Sequence, residues 1–235
     1  MVIAPPSVQR DIVIHGVFLE GTCIRFVDSA KNLGVLLDSV LSFENQVNKV
    51  SKASYGIIKK LHQIKGYLSE DHLKQLVCSY VLQNLDYCNS LYYGMNCHLL
   101  NKLQRVQNCA ARLISKETSS ACNIDKKMFD LHWLKVKHRI LYKILVIVHN
   151  SLHLKAPDEI MSMFQYSESI RTMKLREKKN SNKYGGRALS HSGPKLWNLL
   201  PLTIREEHDT DKFKKALKSF LMVTGDEYCE WIIRR

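Results

Sequence analysis

The chain has 235 residues and carries 35 Lys and Arg against 22 Asp and Glu, which gives a formal net charge of +13. A hydrophobic share of 45%, with only 10 Gly and 5 Pro, excludes a disordered or collagen-like chain and predicts a folded core. The longest apolar run, residues 140–148, is interrupted by Lys143, which argues against a membrane-spanning segment or a membrane partner. So large a positive balance predicts affinity for polyanions, of which nucleic acid is the commonest.

Three segments differ in charge and in hydrophobic period. Residues 1–41 carry 3 basic and 4 acidic side chains, residues 42–155 carry 17 and 7, and residues 156–235 carry 15 and 11. Over 11–38 the first segment alternates between apolar and polar residues and is rich in β-branched ones. This pattern predicts short strands joined by a turn at Glu20-Gly21. We therefore predict a mainly α fold: a short N-terminal β-hairpin region, a helical bundle, and a C-terminal domain that is helical and irregular.

The second segment begins with a basic amphipathic helix. Ser42 is suited to cap it, apolar residues from Val47 to Ile64 recur on one stripe, and Gly66 follows its end. No acidic residue occurs between positions 45 and 69. At 100° per residue, four lysines fall on the face opposite the apolar stripe: Lys49, Lys52, Lys59 and Lys60. This face is a candidate nucleic-acid contact, and a solvated helix surface is the alternative.

Further helices are predicted along the chain. One begins at the cap Ser69 and buries Tyr80 among its apolar residues, and another spans 99–115 with Arg105 and Arg112 on its outer face. Those two arginines are candidate nucleic-acid contacts, with surface packing of their long stems as the alternative. Residues 136–152 are apolar nearly all round and predict the central helix of the bundle.

The third segment combines a basic loop with a terminal helix. A short helix is predicted after Pro157, followed by a loop over 167–193 and by an amphipathic helix capped by Thr210. Trp197, among leucines, is predicted to pack in the core. The loop contributes four candidate contacts to nucleic acid: Arg171, Lys174, Lys178 and Lys179.

The side-chain constellations of common enzymes are missing from the sequence. No adjacent Asp pair is present for two-metal nucleotidyl transfer, and Gly185-Gly186 lacks the Lys-Ser/Thr of a phosphate loop. His149 and His153 have metal-ligand spacing without a third ligand nearby in sequence, and the neighbours Cys97 and His98 cannot usually face each other. We therefore expect no catalytic residue, no metal, no cofactor and no small-molecule substrate.

The seven cysteines indicate the compartment. Their number is odd, no two of them form a Cys-x-x-Cys pair, and most lie in apolar helical pattern. This usage is typical of reduced thiols, so we expect an intracellular location, nuclear or cytoplasmic.

Five separated strings resemble one family, in its order. The string 31–38, Lys-Asn-Leu-Gly-Val-Leu-Leu-Asp, followed by Leu-Ser-Phe at 41–43, resembles the segment that closes the reverse transcriptase palm in non-LTR retrotransposons of the jockey type. Asn32 stands where that family usually has an aromatic residue. Residues 103–114 and 134–143 are similar to two helices of the family, and 193–201 with 213–221 to its Trp-Asn-x-Leu-Pro signature and closing helix.

The resemblance implies a fragment of an RNA-directed DNA polymerase encoded by a transposable element. The family's metal-binding aspartates lie upstream of the primer grip, so the resemblance implies a chain that lacks the catalytic palm. It implies a palm end over 1–41 with Leu33, Gly34 and Val35 as primer-grip-like residues, a thumb-like bundle over 42–155, and a C-terminal domain over 156–235.

Three functions remain open from the sequence. The first is sequence-tolerant binding of RNA or DNA, such as a template-primer duplex, by a remnant of a reverse transcriptase. The second is a thumb subunit that complements a palm domain in trans. The third is a domesticated helical module for protein contacts, in which the basic charge is incidental.

Overall fold

A computed structural model describes residues 1–4, 6–9, 16–114, 123–167, 172–177 and 185–233. The fold is mainly helical, with two antiparallel hairpins near the N-terminus followed by helices, as the sequence predicts. The chain forms two compact units. The first contains Met1–Cys88 and Met95–Ala110, and the second contains Asn89–Gly94 and Ala111–Arg235.

The first unit opens with two β-hairpins. Strand β1 (Gly16–Leu19) pairs with β2 (Thr22–Arg25), and β3 (Ser29–Asn32) pairs with β4 (Val35–Asp38). The predicted turn at Glu20-Gly21 is confirmed, with φ of 48° and 78°. Positive φ at both central residues is typical of the tight turn that suits the twist of a hairpin. The remaining predicted strand residues, 11–15, lie outside the described part of the chain.

The first hairpin buries little of its apolar surface. Val17 is 54% exposed, Phe18 is 76% exposed and Leu19 is 61% exposed, and Ile24 on the paired strand is 52% exposed. An isolated two-stranded hairpin is marginal in water, because it has too little apolar surface to bury. Four apolar side chains of this hairpin are therefore more than half exposed.

Helices form the rest of the first unit. They are α1 (Pro6–Gln9), α2 (Glu44–Ile64), a 3₁₀ turn (Lys65–Tyr67), α3 (Glu70–Val77), a π-helical turn (Cys78–Leu82), α4 (Gln83–Asp86) and most of α5 (Cys97–Ile114). Most of the stripe predicted for α2 is buried, from Val47 to Leu61, but Ala53 within it is exposed and Ile64 at its end is 45% exposed. Ser69 caps α3 by accepting the N–H of His72.

One local prediction in this unit is wrong and another holds in part. Tyr80 is 57% exposed, because the π-helical turn adds a residue to the repeat and rotates the following side chains away from the apolar stripe. The N-cap position of α2 is Phe43, in a left-handed conformation with φ of 61°, and not Ser42. The hydroxyl of Ser42 nevertheless accepts the N–H of Glu44, the first residue of α2, at 3.2 Å.

The second unit is built around one buried helix. Its helices are α6 (Ile124–Asp130), α7 (Val136–Leu152), α8 (Asp158–Met161), α9 (Leu189–Asn198), α10 (Leu202–Arg205) and α11 (Thr210–Ile233), with 3₁₀ turns at Asn89–Tyr92 and Gly185–Arg187. Helices α9 and α11 pack against α7, where Leu145 and Val148 are fully buried. The predicted helix is thus confirmed with its predicted bounds. It packs, however, against helices of the segment 156–235, which was predicted as a separate C-terminal domain, and not within a bundle over 42–155.

The predicted loop over 167–193 is wrong at its end, because α9 begins within it at Leu189. Gly193 and Pro194 lie inside this helix although both residues normally disfavour a helix interior. A Cβ at Gly193 would lie 2.6 Å from Cε1 of Phe164 and 3.0 Å from Cγ2 of Val148. Glycine therefore permits a close approach of α9 to its neighbours that the local pattern does not show.

The predicted cap of α11 is wrong by one residue. Asp209, and not Thr210, caps this helix, since its Oδ1 accepts the N–H groups of Asp211 and Lys212.

Within the described residues, none of the helices combines the length and the apolar character that a membrane crossing requires.

Replacing Gly193 with Ala should lower the stability of the second unit. The added methyl forces Phe164 to move, and overpacking of this kind costs roughly 1–3 kcal/mol. Urea unfolding followed by tryptophan fluorescence measures the effect. Gly186→Ala is the matched control, because a Cβ at Gly186 meets no atom within 4 Å. Equal unfolding midpoints for the two variants would contradict the close packing of α9.

Candidate nucleic-acid interface

The second hairpin carries an exposed, conformationally strained tip. Leu33 and Gly34 form the turn between β3 and β4, with φ of 44° and 88°. Leucine rarely adopts a left-handed conformation, which costs about 1–2 kcal/mol for a residue with a Cβ. The Leu33 side chain nevertheless points into solvent, 84% exposed, whereas Val35 is buried. Of the three residues predicted as primer-grip-like, Leu33 is the exposed tip, Gly34 completes the turn and Val35 is the buried anchor.

Three side chains hold this turn in place. Gln46 on α2 accepts the N–H of Leu36 at 2.9 Å, and Lys49 on α2 donates to the carbonyl oxygen of Gly34 at 3.2 Å. The hydroxyl of Tyr87, just after α4, donates to the carbonyl oxygen of Leu33 at 2.6 Å. The hairpin tip is therefore fixed directly beside the N-terminal half of α2.

A carboxylate sets the start of α2. Asp38 accepts the N–H groups of Ser42 and Phe43, both at 2.8 Å, and that of Val40 at 3.2 Å. The hydroxyl of Ser42 also donates to it. Partial burial raises the pKa of Asp38, but these hydrogen bonds outweigh burial and leave the pKa below its ordinary value of 3.8. The ionised carboxylate thus fixes the direction in which α2 leaves β4.

The predicted lysines share one solvent-facing surface of α2. Lys49, Lys52, Lys59 and Lys60 are all exposed, and we call this set the lysine face. A helix rises 1.5 Å per residue, so the set extends over about 16 Å of the helix. Tyr55, also on α2, is 41% exposed. Lys52, Lys59 and Lys60 form no ion pair with any residue in the described part of the chain, so their charge faces solvent.

Helix α5 extends the basic surface at one edge. Lys102 donates to the side-chain oxygen of Asn48, which lies next to Lys49 on α2. Arg105, three residues further along α5, is exposed. Lys102 was not predicted as a contact, although its spacing of three from Arg105 places both on one side of the helix. The structure therefore brings Arg105 to the same unit as the lysine face.

The other predicted contacts do not lie in the first unit. Arg112 is exposed on the last turns of α5, and Lys174 is exposed in the second unit. Arg171, Lys178 and Lys179 lie outside the described residues. The structure thus shows one described cluster of predicted residues, the lysine face with the hairpin tip.

The segment that carries Lys174 is held by the Trp-Asn pair of the predicted signature. The Asn198 side chain accepts the N–H of Leu175 at 2.7 Å and donates to its carbonyl oxygen at 2.9 Å, as a neighbouring strand would. The indole N–H of Trp197 donates to the carbonyl oxygen of Met173 at 2.9 Å. Trp197 is 1% exposed, so its predicted core position is confirmed.

Of the histidine pair at the end of α7, His149 lies in the core and His153 is half-buried. His149 is fully buried, and its ring stacks on Phe213 with the centroids 4.0 Å apart. His153 lies against it, and His208 lies against His153. Burial lowers the pKa of both His149 and His153, which favours their neutral forms. Among the described residues, no group of three His, Cys, Asp or Glu side chains is arranged to hold a metal ion.

Comparisons of the chain with models of protein families, with curated proteins and with solved structures find no match. The relationship to jockey-type reverse transcriptases therefore stays a prediction from those strings of the sequence.

Replacing Asp38 with Asn should loosen the start of α2. The amide keeps one acceptor oxygen and cannot accept the N–H groups on both sides, a loss of about 1–3 kcal/mol in unfolding free energy. Because folding lowers the pKa of Asp38, its contribution is complete above the unfolded pKa of about 4 and is lost as the pH falls through the lower folded value.

Urea unfolding at pH 7 and at pH 3, followed by circular dichroism, measures both effects. Asp28→Asn is the control, since Asp28 lies on the preceding loop and is exposed. If Asp38→Asn and Asp28→Asn are equally stable at pH 7, the carboxylate does not fix the helix start.

Proposed function

We propose that this chain binds nucleic acid, in particular duplexes of a template-primer kind, through the lysine face and the adjoining hairpin tip. The observation that carries the proposal is the row of four exposed lysines on one helix face, without an acidic residue between positions 45 and 69. The proposed role is binding, and no residue of the chain is assigned a catalytic step.

The charge pattern supports this partner. Solvated helix surfaces commonly mix charges of both signs, because pairs at i,i+4 stabilise a helix by a few tenths of a kcal/mol. The lysine face forgoes those pairs and accumulates positive potential instead. Lysine contacts phosphates as a point charge and reads no base edge, so binding should be tolerant of sequence. The salt dependence of binding should be correspondingly steep.

The hairpin tip supports a duplex partner. Lys49 joins the lysine face to the turn through the Gly34 carbonyl, so the exposed Leu33 side chain stands beside the cationic surface. Proteins that bind the minor groove of a duplex frequently insert an apolar side chain such as leucine between base steps. This arrangement agrees with the primer-grip-like role that the resemblance implies for Leu33, Gly34 and Val35.

Replacing the lysine face with glutamine tests the proposal. The variant Lys49→Gln, Lys52→Gln, Lys59→Gln, Lys60→Gln keeps the apolar stripe and the helix propensity. Affinity for RNA–DNA hybrid and for DNA duplexes should fall alike for all sequences, and the slope of log K against log salt should flatten by about three to four units. Fluorescence anisotropy over a salt series measures both.

The matched control removes four exposed helical lysines of the second unit: Lys143, Lys212, Lys215 and Lys218. Both variants lose the same charge, so a difference between them locates the binding surface. Neutralising Arg171, Lys174, Lys178 and Lys179 tests the basic loop in the same assay. An unchanged slope in the lysine-face variant would contradict the proposal, and no effect in any variant would favour the protein-contact module.

The first hairpin favours a second candidate function, in which the chain complements a palm domain in trans. Its exposed Val17, Phe18 and Leu19 suit addition to a neighbouring sheet, as do its outer strand edges, which pair with no other strand among the described residues. In this case template-dependent nucleotide incorporation should appear when the chain is mixed with a separately expressed palm of a jockey-type reverse transcriptase.

Phe18→Ser should reduce that incorporation by removing exposed apolar area, whereas Val223→Ser, at an equally exposed position of α11, should leave it unchanged. Equal incorporation by the palm with and without this chain would contradict the second candidate.

A further inference from the structure

One glycine interrupts the lysine face without a packing reason. Gly56 lies near the middle of α2, on the exposed side, and a Cβ at this position would meet no atom within 4 Å. Its φ is not in the left-handed region, so any residue could adopt this backbone. Glycine inside a helix is destabilising relative to alanine. Neither packing nor backbone conformation therefore accounts for glycine here.

The neighbours of Gly56 form a dip between two pairs of cations. Lys52 lies one turn before it, and Lys59 and Lys60 lie one turn after it. The other small residue on this side is Ala53, which is also exposed. The centres of the pairs Lys49/Lys52 and Lys59/Lys60 are nine residues apart, or about 14 Å along the helix. The helix backbone is therefore most accessible midway between the two pairs.

We propose that Gly56, with Ala53 beside it, is a seat in which a sugar–phosphate strand touches the helix backbone while the two lysine pairs bind its phosphates on either side. Absence of a side chain allows the closest approach of a ligand to a backbone. At 3.4 Å of rise per nucleotide, the 14 Å between the pairs corresponds to about four nucleotides of one strand. This inference rests on the proposed binding function and adds a contact made by shape to the contacts made by charge.

Variants of Gly56 separate affinity from stability. Gly56→Ala should raise the thermal unfolding midpoint by roughly 2–4 °C, because alanine favours the helix. It should nevertheless weaken the binding of a 20-base-pair duplex. Gly56→Leu fills the dip and should weaken binding at least about tenfold, a loss of roughly 1.4 kcal/mol. If Gly56→Ala has a higher unfolding midpoint and yet binds the duplex more weakly, unfolding cannot be the cause of its weaker binding.

Gly66 provides the matched control. It is exposed, a Cβ there also meets no atom within 4 Å, and it lies just beyond the end of α2 outside the two lysine pairs. Gly66→Ala and Gly66→Leu should bind the duplex like the unmodified chain. Weakening by Gly56→Leu alone supports the seat, whereas equal weakening by Gly56→Leu and Gly66→Leu overturns it.

The lysine-face variant, measured in parallel, distinguishes the two proposals. If Gly56→Leu binds like the unmodified chain while the lysine-face variant loses affinity, the seat is wrong and the binding function stands. If both variants bind like the unmodified chain, the seat and the binding function are both wrong.

Discussion

The carboxylate of Asp38 is the interaction on which the candidate interface depends. It accepts the backbone N–H groups of Val40, Ser42 and Phe43 in the turn that joins β4 to α2, and the hydroxyl of Ser42 in turn accepts the first helical N–H, that of Glu44. Gln46 and Lys49 then bond back from α2 to the hairpin. One contiguous stretch of chain therefore builds both the exposed tip at Leu33 and the cationic helix face, and holds them in fixed register.

Lysines of the second unit have acidic partners that the lysine face lacks in the described chain. In the second unit, Lys135 and Lys137 pair with Asp226, and Lys135 also pairs with Asp125. The lysine side chains hold the pKa of Asp226 far below its ordinary value, although partial burial opposes this. The lysine face has no such acidic partners in the described chain. Its potential is balanced only by mobile counterions, whose release gives binding to a polyanion its free energy and its salt dependence.

The spacing of apolar residues predicted α2, α5 and α7 well, because the residues that a helix buries recur at helical period in its own sequence. It missed α9, since Gly193 makes sense only beside Phe164, a neighbour remote in sequence. The lysine face was predictable for the same reason as α2, from spacing alone. The bond from Lys102 to Asn48 was not, because it joins residues 54 positions apart and no local pattern encodes such a pair.

The left-handed backbone at Leu33 has a consequence for protein engineering. A tight hairpin turn with positive φ at both central residues favours Asn-Gly or Gly-Gly, so a leucine there sacrifices stability while its side chain remains in water. Gly56 also lowers stability, in its case because a glycine inside a helix is less stable than an alanine. A stability-guided redesign or a thermal selection would replace both residues among its first choices, and would produce a more stable protein in which the surface of the proposed nucleic-acid contact is altered.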